Sequence, residues 1–234
     1  MPEAVTRNLP VLALRGVTAF PGQTVSFDVE REISIYALDN AMESDRRIFA
    51  ITQKELSTSE PGERDLYAVG TVCHILQIIK TSDTSVRVVV EGESRARLLR
   101  LWQTQPFLQG QAELLPEQPA RSTARTEALL RRTYVLFDDY RQLASGLSDD
   151  FTAAVLDCRD AGELADLIAQ NITLRHQDRQ RVLEELHPEK RLRLVNDILT
   201  HEVDVLSLES EMEQKVRRRV AQVQRDMILR EQVK

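Results

Sequence analysis

His201-Glu202 begins as a helical zinc-protease motif does, with two imidazoles four residues apart on one helix face and the glutamate as general base. Position 205 is Val, so the second ligand is missing and the motif does not close. Cys73 and His74 are adjacent in a segment that reads as a strand, where neighbours point to opposite faces, a poor arrangement for a shared metal. Cys158 has no histidine near it in sequence, which suits a packing role. No glycine is followed by lysine, so a phosphate loop of the GxxxxGK[ST] type is excluded. Serines and lysines are present, but no spacing singles out a nucleophile and its base. The four histidines read as structural or surface groups. No catalytic or metal constellation emerges, and the chemistry of this chain has to be sought in binding surfaces.

The elements that would carry such surfaces fall into two halves. The 234 residues, 42% of them apolar, suffice for one large domain or two modest ones. To about residue 117 the pattern is mainly strands. Leu9–Leu14 is an apolar run, and Val25, Phe27 and Val29 alternate with polar neighbours. Phe20-Pro21-Gly22 is a turn signal between them. Ile35, Leu38 and Met42 share one face of a short helix over 33–42 that Ser34 helps to start. Further strands are expected at 48–51, 66–79, 86–90, 96–101 and 107–115, with a long hairpin through Thr81–Ser85. One small helix among several strands suggests a partly closed β-barrel or folded sheet.

Pro116-Glu-Gln-Pro119 marks a boundary, giving domains 1–117 and 118–234. Beyond it the period is helical. Leu129, Leu130, Val135, Leu136, Tyr140 and Leu143 define one helix, ending near Gly146. Asp160 and Glu163 form a capping-box-like start for a helix holding Leu164, Leu167, Ile168 and Ile172. Val182, Leu183 and Leu186 belong to another, and Pro188 suits the first turn of a long final helix. The expected class is α+β, a mainly-β domain followed by an α-helical bundle that ends in a long extended helix.

That last helix carries an apolar stripe of Val205, Leu208, Met212, Val216, Val220, Val223 and Met227, within a sector of roughly 120°. Its spacing returns at about eleven residues, which favours a nearly straight helix over a left-handed heptad coil. Five acids and no bases lie between Glu202 and Gln214, and seven bases against two acids between Lys215 and Lys234. This order follows the helix dipole and also permits staggered self-association, with the stripe as seam. A helix of about 70 Å is longer than a compact domain of this size needs, which suggests the front part of something longer.

Composition narrows the partners. The net charge of −6 argues against a general nucleic-acid binder, as do twelve bases against sixteen acids in residues 1–120. Arg217-Arg218-Arg219 could meet phosphates, yet lacks the neighbouring aromatics of a single-strand binder. With no apolar leader, no run of about 18 apolar residues and no disulfide framework, a soluble cytoplasmic protein without a membrane span is expected.

Taken in order, several segments resemble the N-terminal region of the ATP-dependent Lon protease family. Leu9-Pro-Val-Leu-Ala-Leu-Arg-Gly-Val-Thr-Ala-Phe-Pro-Gly22 looks like its opening strand, loop and turn. Ala68–Val72 with Ile75–Lys80 is similar to its long strand, and Val88-Val-Val-Glu-Gly-Glu-Ser-Arg-Ala-Arg97 to its glycine-and-arginine segment. Leu164–Ala169, Gln180–Leu186, Glu202–Leu206 and Gln224–Lys234 resemble the helical part and the helix leading to the ATPase module.

The resemblance implies a PUA-like β-domain and a helical subdomain preceding an AAA+ ATPase and a Ser–Lys protease. It implies a homohexamer that degrades misfolded and regulatory proteins in the cytoplasm. ATP and Mg would belong to the ATPase module, with no cofactor held by this chain. The implied role is capture of unfolded or misfolded polypeptide by weak contacts repeated around a ring. Phe20, Pro21 and Ile79, in the turn and at the hairpin tip, are the candidate substrate contacts; Phe20→Ala is then expected to weaken capture without unfolding the domain. The alternatives are a purely architectural oligomerisation and gating module, and an RNA-binding PUA-like domain, which the charge count opposes.

Overall fold

The computed structural model describes residues 5–119 and 121–232. Six strands form one sheet: β1 (Thr6–Leu14), β2 (Thr24–Val29), β3 (Arg47–Thr52), β4 (Val69–Lys80), β5 (Val86–Gln103) and β6 (Gln109–Leu114). The spatial order is β2-β5-β4-β3-β1-β6, and β6 returns to pair with the second half of β5. The last five strands of that order therefore close on themselves, while β2 is left as an extra strand on the first half of β5. Helix α1 (Glu32–Met42) packs against β1 and β3 and supplies Ala37, Leu38 and Ala41 to the core.

Two segments expected as separate strands are the single 18-residue β5. Gly92 sits where a break was expected because another part of the chain needs the room. A Cβ there would lie 2.1 Å from the Phe20 carbonyl oxygen. The bare backbone instead exchanges hydrogen bonds with the turn, Gly22 N to Gly92 O at 2.8 Å and Gly92 N to Gln23 O at 2.9 Å.

The second half holds α2 (Ala124–Leu143), α3 (Asp149–Asp157), α4 (Ala161–Asn171), α5 (His176–Glu184) and α6 (Pro188–Gln232). Caps fix their starts: the side chain of Thr123 accepts from Thr126 N, that of Ser148 from Phe151 N, and that of Asp160 from Gly162 N and Glu163 N. Helix α3 was not expected, its nine residues being too short to show a clear period. At α1 the expected role of Ser34 does not hold. Arg31 is the N-cap, without a side-chain cap bond, and Ser34 is buried. The first part of α6 buries Leu192, Val195, Ile198 and Leu199 against α2 and α4; the rest of its 45 residues projects away.

The halves are joined by burial and by charge. Phe20 and Val69 from the strand half belong to the helical core cluster. Arg95 on β5 donates to both oxygens of Asp166 on α4, at 2.9 and 2.7 Å, and to Leu183 O at 2.9 Å. Arg191, in the first turn of α6, donates to Asp166 at 3.2 Å and to Glu117 at 2.7 Å. The side chains of Arg95, Asp166 and Arg191 are 2%, 4% and 0% exposed, so these charges are isolated from solvent. Burial pushes the Asp166 carboxyl up, and the two guanidiniums pull against that shift.

Candidate functional site

Strand β2 has a single strand neighbour, β5, among the described residues. Its six residues, Thr-Val-Ser-Phe-Asp-Val, alternate between exposed or half-buried and buried positions, and pair with β5 without a register shift. Phe27 and Val29 point into the core, which fixes the register. Its other edge pairs with no strand, and no backbone or side-chain hydrogen bond reaches it from the described residues. Proline, lysine and a bulge, which often guard an edge strand, are missing from β2; its one charged residue, Asp28, is paired across to Arg87 on β5.

Just past β2 the chain places Arg31 beside Arg15. Arg31 donates to Gln53 Oε1 at 2.7 Å, Thr58 O at 3.0 Å and Ala13 O at 3.4 Å. Arg15 reaches the same Thr58 carbonyl at 3.4 Å. All these acceptors are neutral, and among the described residues neither arginine forms an ion pair. Burial, then the positive charge of Arg15, lowers the pKa of Arg31 from its ordinary value. A guanidinium still keeps its charge, so two positive groups stand side by side without a counter-ion.

These arginines separate two hollows. One, of about 350 Å³, is lined by Leu12, Leu14, Phe27 and Val29 with both arginines. The other, of about 620 Å³, is lined by both arginines with Ile33, Tyr36, Pro61, Pro106 and Leu108. Carboxylates nearby are engaged elsewhere or lie at the rim: Asp28 takes a two-pronged bond from Arg87 at 2.8 and 3.0 Å, and Glu32 accepts from the Tyr36 hydroxyl at 2.8 Å. Glu30 and Glu60 are exposed rim residues. The face thus combines an unpaired strand edge, apolar walls and a localised positive charge. Such a face can hold an extended chain by its main chain and one acidic group.

The residues expected to contact substrate are scattered. Phe20 is fully buried, at 0% exposure, because its ring enters the helical core and its N–H donates to Gln170 Oε1 at 3.2 Å. An exposed contact role for Phe20 is thereby corrected: the ring joins the two halves. Pro21 is half-buried and lines a different hollow, of about 660 Å³, with Val5, Leu114 and Leu115. Ile79 is exposed on the β4–β5 hairpin, at 42%. The structure does not bring Phe20, Pro21 and Ile79 into one site. On α6, Val205 is half-buried, whereas Leu208, Met212, Val216, Val220, Val223 and Met227 are all more than half exposed.

Arg15 and Arg31 were missed by sequence reasoning, because their partners at Gln53 and Thr58 are distant in the chain. The alternation of β2 was the one visible signal, and it marked a strand without marking an edge. The two thiols offer no competing chemistry: burial pushes that of Cys73 well up, and burial also raises that of half-buried Cys158.

Comparison with known proteins places this geometry. A family model described as the ATP-dependent protease La (LON) substrate-binding domain matches residues 8–201. Lon protease of Clostridioides difficile (strain 630) is 36% identical over 234 residues, covering 98% of this chain and 30% of that protein. Lon protease 1 of Bacillus subtilis (strain 168) is 35% identical, covering 100% of this chain and 30% of that protein. The chain thus spans less than a third of the curated relatives it matches. Among solved structures, the N-terminal domain of Mycobacterium avium complex Lon protease superposes with a TM-score of 0.66 at 21% identity, covering 83% of this chain and 98% of that one. The Lon N-terminal domain protein from Xanthomonas campestris gives 0.57 at 18% identity, covering 80% and 95%. With the mixed α+β architecture shared and most of its length matched, this chain belongs to the Lon protease substrate-binding domain family.

Proposed function

We propose that this chain is the non-catalytic N-terminal region of an ATP-dependent Lon-type serine protease and that it recognises unfolded or misfolded protein. In this reading residues 1–117 carry recognition and residues 118–234 hold that module at a fixed place on the long helix. The observation that carries it is the unguarded edge of β2 beside two uncompensated guanidiniums, on a chain of the substrate-binding family. A folded protein keeps its main chain paired, whereas an unfolded one presents donors and acceptors along its length. A surface that offers free main chain therefore discriminates by foldedness with little regard for sequence.

Assembly is the second reading, favoured by the open stripe on α6. Six large apolar side chains more than half exposed on one helix face are costly unless another surface covers them. Pairing of these helices would support a hexamer in the complete protease and would multiply weak capture through local concentration.

The test is binding of this chain to one protein in permanently unfolded and native forms, both free in solution and displayed densely on a surface, with single-stranded RNA as control. Preference for the unfolded form is expected. Equal or absent binding in both formats would leave only the assembly role, and binding of RNA alone would overturn the partner assignment.

A further inference from the structure

We infer that the outer edge of β2 captures substrate by strand addition: an extended segment of unfolded polypeptide pairs with Thr24–Val29 as a seventh strand, and an acidic side chain of that segment sits on Arg15 and Arg31. The inference rests on the substrate-recognition reading above and names how the site binds.

Each residue of an edge strand directs its N–H and C=O either inward to the sheet or outward, in alternation. The inward set of β2 is taken by β5 from Thr24 to Val29. The outward set has no protein partner among the described residues along the whole of β2, whereas β1, β3, β4 and β5 each have two or more strand neighbours, with single-sided stretches such as Gln77–Lys80 of β4. Edges of this kind are normally blunted, because they template the addition of another chain. This one is regular, six residues long and free of proline and lysine, and its register is pinned by Phe27 and Val29 in the core. It is ready to pair without rearranging, which lowers the ordering cost on the protein's side.

Charge selects the occupant. Strand addition alone accepts any extended chain, including a second copy of this one. The end of β2, however, delivers the added strand to Arg15 and Arg31, which hold two positive charges against neutral acceptors only. A carboxylate there gains charge-assisted bonds and relieves the repulsion between the guanidiniums. The hollow walled by Leu12, Leu14, Phe27 and Val29 is lined by both arginines too, so it accommodates an apolar side chain two residues from the acidic one, on the same face of the added strand. The preferred segment is therefore extended, with alternating apolar residues and an aspartate or glutamate at its end nearest Arg31.

The test uses blocked octapeptides of alternating threonine and valine with one glutamate, labelled for fluorescence anisotropy, alongside the unfolded protein of the preceding test. One series carries backbone N-methyl groups on a single edge of the peptide, the other series on the opposite edge. Strand addition predicts a loss of about tenfold or more for one edge and little change for the other, because only one edge pairs with β2. Glutamate to glutamine in the peptide is expected to weaken binding about tenfold in the wild type and far less in Arg31→Met. Hydrogen exchange should slow at alternate amides within Thr24–Val29 on peptide addition. Equal loss from both N-methyl series, or none, overturns strand addition; if the unfolded protein still binds, the substrate-recognition reading survives that result. Slow exchange at β2 already present in the free protein and rising with its concentration would mean a second copy, and would also overturn the proposal. Competition by inorganic phosphate or an oligonucleotide, with peptide selectivity lost, would show a general anion site instead.

Discussion

Replacing Phe20 by alanine should destabilise the fold of this protein, not merely blunt a surface contact. The ring is fully buried in a core built mainly from the helical half, so its removal costs transfer energy and leaves a cavity. For Phe→Ala in a core this amounts to about 3–5 kcal/mol. The site is poorly placed to collapse around the loss. Phe20 N is held by Gln170, Gln23 N donates to Phe20 O at 3.2 Å, and the Phe20 carbonyl lies against the bare Cα of Gly92. A value near 4 kcal/mol is therefore expected, about a third or more of the stability of an ordinary domain. Urea denaturation reads it directly. Far-UV circular dichroism follows the helices, and Trp102, the sole tryptophan, reports from β5 in the strand half. With a slope of about 2–3 kcal/mol/M the midpoint should fall by about 1.3–2 M in both signals. Ile79→Ala, on the exposed hairpin, serves as control and should stay within about 0.5 kcal/mol. A Phe20→Ala loss below about 1 kcal/mol would refute the argument that this ring holds the halves together.

Two further outcomes follow from the same contacts. Asp166→Ala leaves the buried guanidiniums of Arg95 and Arg191 with only the half-exposed Glu117 as a shared carboxylate and should cost about 3–5 kcal/mol, measured by the same denaturation; a loss within the range of a surface substitution would mean the network is already hydrated. Met212→Glu and Val220→Glu lie on the open stripe, so folding should be unchanged while the weight-average mass in sedimentation falls; a mass indifferent to both substitutions and to salt would remove α6 as a seam.

What the sequence disclosed was whatever depends on neighbours in the chain. The alternation of Val25, Phe27 and Val29 and the Asp160 cap are local patterns, and each stands in the structure where its period placed it. Phe20 failed for the opposite reason. Phe-Pro-Gly is a turn signal, and turns are usually exposed, but the acceptor of Phe20 N is Gln170, 150 residues away. Gly92 misled in the same way, since it looked like the end of a strand while its function is to admit the Phe20 turn. Periodicity on α6 located an apolar face without saying whether anything covers it. At β2 the pattern showed a half-buried strand but could not tell an edge from a centre, because that depends on which strands lie beside it.

Recognition at β2 matters to a longer protease only if the strand half cannot swing freely on the helix beneath it. The turn that follows β1 plugs Phe20 into the helical core, and Gln180 on α5 donates to Val69 O on β4 at 2.9 Å. Between these anchors run the buried charges, from Arg95 on β5 through Asp166 on α4 to Arg191 in the first turn of α6. Rotating one half against the other would pull the buried Arg95 guanidinium away from the Asp166 carboxylate, leaving Asp166 with Arg191 alone. Ion pairs of this kind add little net stability over apolar residues of the same size, but they are expensive to break and tolerate little change of geometry. Their effect is to fix direction. On the proposed strand addition, a polypeptide bound along β2 would be held at a set angle to the first part of α6.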